Sequence, residues 1–229
     1  MLGTPTLARC WSLGLGTTRP RMRESKEALR HMIITVILAH PNQNSFNSAI
    51  AATACRELRS FGHEIHFHDL YQEHFDPVIP PTELGSDAAL GGQLDSYCRE
   101  IAESDGIVLV HPNWWGQPPA ILKGWVDRVL RPGVAYRFLE GDSGEGVPVG
   151  LLKAQTAIVF NTSNTPHERE MAVFGDPLQK LWETCILEFC GVRNVVRRMF
   201  GVIVTSKPGQ RGQWLDEVKQ ILRANFPQR

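Results

Sequence analysis

The sequence predicts an α/β fold, a parallel sheet covered by helices on both faces, and three observations predict it. From Met32 onward, short β-branched runs alternate with amphipathic stretches. The first run, Ile33 to Ala39, is apolar almost throughout, as a strand covered on both faces must be. Five such runs fit in 229 residues, of which 42% are apolar and 21% charged. That is the composition of an ordinary globular domain with a sizeable core.

After the first strand, Asn44 and Ser45 can cap a helix from about Phe46 to Phe61, which Gly62 stops, and Glu64 to Asp69 reads as the second strand. Pro77, Pro80 and Pro81 then exclude regular structure before a helix from about Leu94 to Glu103. Gly106 to Val110 is the third strand. The run HPNWWGQPP that follows is a turn-rich loop, and its Pro119 suits the first turn of a helix carrying Ile121, Leu122, Trp125, Val126 and Val129 on one side. Residues 131–150, with five glycines and two prolines, read as a long irregular loop. Thr156 to Phe160 is the fourth strand. Asp176 caps a helix through about Phe189 that ends at Gly191, a fifth strand lies near Met199 to Val204, and a last helix near Trp214 to Asn225. With right-handed crossovers, five strands and five helices most economically take the order 2-1-3-4-5, a flavodoxin-like three-layer sandwich.

Charge and composition narrow the function. Lysine plus arginine total 24 and aspartate plus glutamate 24, so no global field attracts nucleic acid or an anionic membrane. No apolar run approaches the roughly 20 residues that a membrane span needs, so no membrane insertion is expected. Cys10, Cys55, Cys98, Cys185 and Cys190 have no CxxC or zinc-type spacing and read as free thiols of a protein in the reducing cytoplasm. His66 and His68 share a strand face, but nothing in the sequence completes a ligand set around them, so no metal is assigned. Residues 1–31 carry six lysines and arginines against two glutamates and show no strong periodicity; they read as an N-terminal extension to a domain spanning 32–229. A transit peptide, a flexible tail, or a later start at Met22 or Met32 would each account for them.

In the order 2-1-3-4-5 the winding reverses between strands one and three, and ligands bind beyond the carboxyl ends of the strands at that point. Three loops are thereby singled out. The first, His40 to Asn47, puts His40, Asn42, Asn44, Ser45 and Asn47 at a helix N-terminus that favours phosphate. The second, His111 to Gln117, offers two indoles, Trp114 and Trp115, in a place where ligand contact is the better reading than core; Trp125 and Trp182, on helices, read as core. The third, Asn161 to His167, offers small polar groups that serve equally well as plain turn residues or as ligand contacts. A phosphate cradle, a flat stacking wall and a polar edge are what the head of flavin mononucleotide needs.

AHPNQNSFN at 39–47 and PNWWGQPPAILKGWVDRV at 112–129 resemble the NAD(P)H:quinone oxidoreductases of DT-diaphorase type, over most of 32 to about 205. The resemblance implies a bound FMN or FAD, NAD(P)H as hydride donor, and a quinone-like acceptor, with azo and nitro compounds as further acceptors. It implies that His40, Ser45, Phe46 and Asn47 face the flavin phosphates and tail. Pro112, Asn113, Trp114, Trp115 and Gly116 would line the isoalloxazine ring, and Asn161, Thr162, Ser163 and Asn164 stand where the family has TTGG at the ring edge. The family's tyrosine and histidine that follow TTGG have no counterpart in PHEREMAVFGD, which leaves His167, or Arg169, to stabilise the acceptor oxygen. The resemblance further implies a homodimer in which the partner's 131–150 loop closes each pocket. A regulatory flavoprotein subunit of a potassium efflux transporter and a flavodoxin-like electron carrier are the alternatives.

Overall fold

Five parallel strands form the sheet in the computed structural model, which describes residues 31–84, 90–142 and 145–228. The predicted extension at 1–31 lies outside the described residues except for His31, as does Cys10. The strands are β1 (Ile33–Leu38), β2 (Glu64–Asp69), β3 (Gly106–Pro112), β6 (Thr156–Ser163) and β7 (Asn194–Gly201), ordered β2-β1-β3-β6-β7. Numbered within the sheet alone, this is the expected order 2-1-3-4-5.

Each face of the sheet carries its own core. On one face, α1 (Phe46–Ser60) and α6 (Pro208–Asn225) cover Ile34, Val36, Val108, Val110, Ile158 and Phe160. On the other, α2 (Gly92–Glu103), α3 (Ala120–Val129) and the segment 177–188 cover Ile37, Ile107, Leu109, Ala157 and Val159, with Trp125 and Trp182 buried among them. The alternation within β3 and β6 is the period-2 signature of a strand buried on both sides. Among the described residues no helix is long and apolar enough to cross a membrane.

Boundaries differ from the sequence reading in β3, which runs on to Pro112, in α6, which starts at Pro208 rather than near Trp214, and in four further places that each have a physical reason. The last strand is Asn194–Gly201, not Met199 to Val204, because its middle carries Arg197 and Arg198. Arg197 is nonetheless buried, in an ion pair with Asp176 at 2.7 Å, and a strand that buries a charge has no apolar signature to read. Strand β6 runs three residues past Phe160, since Thr162 and Ser163 pair with Phe200 and Gly201 of β7. The helix expected from Asp176 to Phe189 is α-helical only over α5 (Pro177–Lys180) and continues in wider π-helical turns over Leu181–Glu188. The loop 131–150 contains a small antiparallel ladder, β4 (Tyr136–Arg137) with β5 (Val149–Gly150).

Candidate functional site

A crevice of about 940 Å³ opens beyond the carboxyl ends of β1, β3 and β6, at the point where the winding reverses. Its first wall is the start of α1. Ser45, with extended backbone, is the N-cap, and its hydroxyl accepts from the Ser48 N–H at 3.1 Å. The N–H groups of Phe46 and Asn47, the first two of the helix, find no acceptor among the described residues, as the start of a helix requires. His40 lies beside them. Its Nδ1 faces the Asn42 backbone, 3.0 Å from the N–H and 3.2 Å from the carbonyl, and its Nε2 has no partner among the described residues. Burial lowers its pKa, against the backbone hydrogen bond to Asn42 and the charge of Asp69. Asn47 is 2% exposed; its Nδ2 donates to Thr162 Oγ1 at 2.9 Å and its Oδ1 has no partner among the described residues.

Arg211, from the first turns of α6, completes this wall. Its guanidinium lies 5.9 Å from the Phe46 ring centre and donates to Ser206 Oγ and to the Ile203 carbonyl, which fixes it at the crevice edge. Two free helix N–H groups, an unpartnered imidazole nitrogen and an anchored cation suit an anion.

The second wall is a tight turn, Trp114 to Gln117, closed by reciprocal backbone hydrogen bonds of 3.0 Å between its end residues. Both central residues have left-handed backbone, Trp115 at φ 58° and Gly116 at φ 71°, the signature of a type I′ turn. Glycine is needed at 116 on two counts, since a Cβ there would also stand 2.8 Å from the Pro177 ring. A tryptophan at φ 58° is strained. Its ring gains nothing from the fold in return: Trp115 is 101% exposed and Trp114 42% exposed. The Gly116 N–H is taken by Asn113 Oδ1 at 2.9 Å. The Trp115 N–H remains without a protein acceptor among the described residues.

Thr162, Ser163 and Asn164 form the floor where β6 ends, next to Asn113, whose N–H donates to the Thr162 carbonyl at 2.6 Å. Of the predicted site residues, His40, Ser45, Phe46, Asn47, Pro112, Asn113, Trp114, Trp115, Gly116, Thr162, Ser163 and Asn164 all line the crevice. Two do not. Asn161 is buried on the opposite side of β6, where its Oδ1 accepts from Arg197 Nε at 2.9 Å; the alternation of a strand turns it away from Thr162. His167 begins a short exposed helix, α4 (His167–Arg169), outside the crevice wall. Arg169 stands over the Phe174 ring at 6.0 Å and does not line the crevice either.

What the segment after β6 does bring in is Glu170, 2% exposed, with Val173, Phe174 and Pro177. Glu170 and Arg211 are the charged residues that the sequence reading missed. Glu170 sits in HERE, which looks like a solvated helix face, and Arg211 is joined to the site only by the fold. Beneath the turn lies His111, fully buried, with Nε2 accepting from Trp182 Nε1 at 2.9 Å and Nδ1 donating to the Pro112 carbonyl at 2.8 Å. Burial pushes its pKa down to about 4, with the charge of Arg197 acting in the same direction and the hydrogen bond to Pro112 opposing.

A family model described as a flavodoxin-like fold matches residues 32–222. A Haemophilus influenzae protein named "Uncharacterized NAD(P)H oxidoreductase" is 35% identical over 177 residues, covering 73% of this chain and 83% of that protein. The chain belongs to the flavodoxin-like NAD(P)H oxidoreductase and quinone-reductase family. Within this family, the ribosyldihydronicotinamide dehydrogenase [quinone] of Mus musculus is 27% identical over 215 residues, 82% of this chain and 91% of that protein. The crystal structure of Smu.1420 from Streptococcus mutans UA159 superposes with a TM-score of 0.72 at 30% identity, covering 84% of this chain and 100% of that one. The family match spans β1 through most of α6, and so includes every wall of the crevice.

Proposed function

We propose that this chain is a flavin-dependent oxidoreductase that uses NAD(P)H to reduce quinones by two electrons, with azo and nitro compounds as further acceptors. The observation that carries the proposal is the pairing, in one crevice, of an anion cradle at the start of α1 with two exposed indoles on the Trp114–Gln117 turn. The quinone reductases among its relatives support it.

The residues present fit FMN or FAD. Free N–H groups at Phe46 and Asn47, His40 Nε2 and Arg211 would hold the phosphate end, and the unpartnered amide oxygen of Asn47 suits a hydroxyl of the flavin tail. Trp114 and Trp115 would provide the flat apolar wall, and the free Trp115 N–H would donate at the ring edge. When bound, a flavin supplies the redox chemistry, accepting hydride from NAD(P)H and passing it on to the acceptor. The chain's own work is to orient the ring, exclude water from one of its faces, and let donor and acceptor use the same open side in turn. With His167 outside the crevice, the acid role expected of it passes to groups that do line the wall or to water.

The chain works as a homodimer in this reading, which the exposed apolar side chains of Leu139, Val147, Val149 and Phe189 on and beside the 131–150 segment support. The free thiols Cys55, Cys98, Cys185 and Cys190 suit the reducing cytoplasm. Steady oxidation of NADH or NADPH that depends on a soluble quinone, by protein carrying flavin, is the expected result. Flavin-loaded protein that turns over neither nucleotide with quinone, azo or nitro acceptors would refute the activity. A dimer by light scattering is expected beside it.

A further inference from the structure

The left-handed turn that carries both indoles is held from outside itself. Asn113 presents its two amide atoms in opposite directions, Oδ1 to the Gly116 N–H at 2.9 Å and Nδ2 to Glu170 Oε1 at 3.1 Å. A carboxylate only accepts, so Glu170 admits only one orientation of the Asn113 amide. The flipped amide would set oxygen against oxygen at Glu170 and NH₂ against the N–H of Gly116. Glu170 is itself nearly inaccessible, at 2% exposed, and forms no ion pair among the described residues. Its fixed place comes from the backbone: its N–H donates to the Pro166 carbonyl at 3.0 Å, and its carbonyl accepts from the Asp176 N–H at 3.2 Å.

We propose that Glu170 is the positioning residue of the crevice: by fixing Asn113 it locks the Trp114–Gln117 turn in its left-handed form and so sets the indole wall before any ligand arrives. The consequence for the ligand rests on the flavin reading above; the lock on the turn does not. Preorganisation of this kind raises affinity because the ordering cost is met during folding. The link also couples two walls that the sequence keeps far apart, the loop after β3 and the segment after β6, whose Val173 and Phe174 line the same crevice as the indoles.

The test uses the full chain with Glu170→Ala, Glu170→Gln, Asn113→Ala and the corresponding double variants, in two measurements. In flavin-free protein, amide hydrogen exchange across 113–117 should speed up at Gly116 at least about tenfold in E170A, while E170Q, whose amide oxygen can still accept from Asn113, stays within about threefold of the parent. In flavin titrations, E170A should weaken binding about tenfold, and N113A/E170A should be no weaker than N113A alone, because Glu170 acts through Asn113. Unchanged Gly116 exchange in E170A, or fully additive losses in the double variant, would overturn the proposal. If E170A does not fold, Glu170→Leu, which fills the buried site and offers no acceptor to Asn113, takes its place in the same cycle. A parent protein that binds no flavin would refute the flavin reading and leave the exchange measurement to decide the lock by itself.

Discussion

At the α1 end of the crevice, Ser45 has ordinary extended backbone, caps a helix of 15 residues, and leaves two N–H groups free because every helix does so. At the turn end, Trp115 has φ 58° and a ring with 101% exposure, so its position serves no contact among the described residues. Folding and binding therefore want the same thing at the first end and opposite things at the second. The difference separates a site that is a by-product of a sound fold from one that the fold carries at a cost, and strain of that second kind is the better pointer to function.

The largest effect expected lies under the turn end. His111 binds a proton with an ordinary value of 6.5 when unfolded but only at about 4 when folded. Below the ordinary value the unfolded chain therefore holds the extra proton, so this contribution is complete above it and falls away as pH drops toward the folded value. The loss amounts to roughly 3 kcal/mol at most. Denaturant unfolding between neutral and acid pH should show that slope, and His111→Gln, whose oxygen can still accept from Trp182, should flatten it. His68 at the far edge strand offers the opposite sign. Burial works against its charge, but hydrogen bonds and charges from Glu73 and Glu100 outweigh it and raise its pKa. Its contribution is complete below the ordinary value and fades as pH rises through the raised one.

Trp115→Gly should next split stability from binding. Relief of the left-handed strain should stabilise the flavin-free protein by about 1 kcal/mol, while loss of the ring should weaken flavin binding by about 1–3 kcal/mol. A thermal melt and a titration on the same preparation check both signs; a variant that loses stability would place the indole in the core after all. Ser45→Ala should move both quantities the same way, with about 1 kcal/mol lost from stability and a weaker grip on phosphate. Arg211→Gln should be the mildest, altering stability by less than about 0.5 kcal/mol. It should lower affinity for FMN while leaving riboflavin, which has no phosphate, unchanged; equal losses for both would remove the guanidinium from the anion cradle.

The contrast between the two ends also explains what could be read in advance. Strand order and the α1 end were legible because apolar period, a Ser45 cap and the Gly62 stop are local signals. The loop HPNWWGQPP stood out as aromatic surface in a turn, and the left-handed conformation at Trp115 gives that oddity its physical form. Long-range pairings were not legible. The burial of Arg197 against Asp176 hid β7, and the pairing of β6 with β7 drew Asn161 into the sheet and away from the crevice. Glu170 and Arg211 entered the site, and His167 left it, for the same reason: their places depend on which segments the fold sets side by side.

The most direct test of the central claim is to purify the chain, examine it for flavin absorbance, and titrate the flavin-free form with FMN and with FAD. Binding stoichiometric with the chain, accompanied by quenching of the exposed indoles and weakened in Trp115→Gly, is the expected result. A colourless protein that takes up neither flavin would contradict the account.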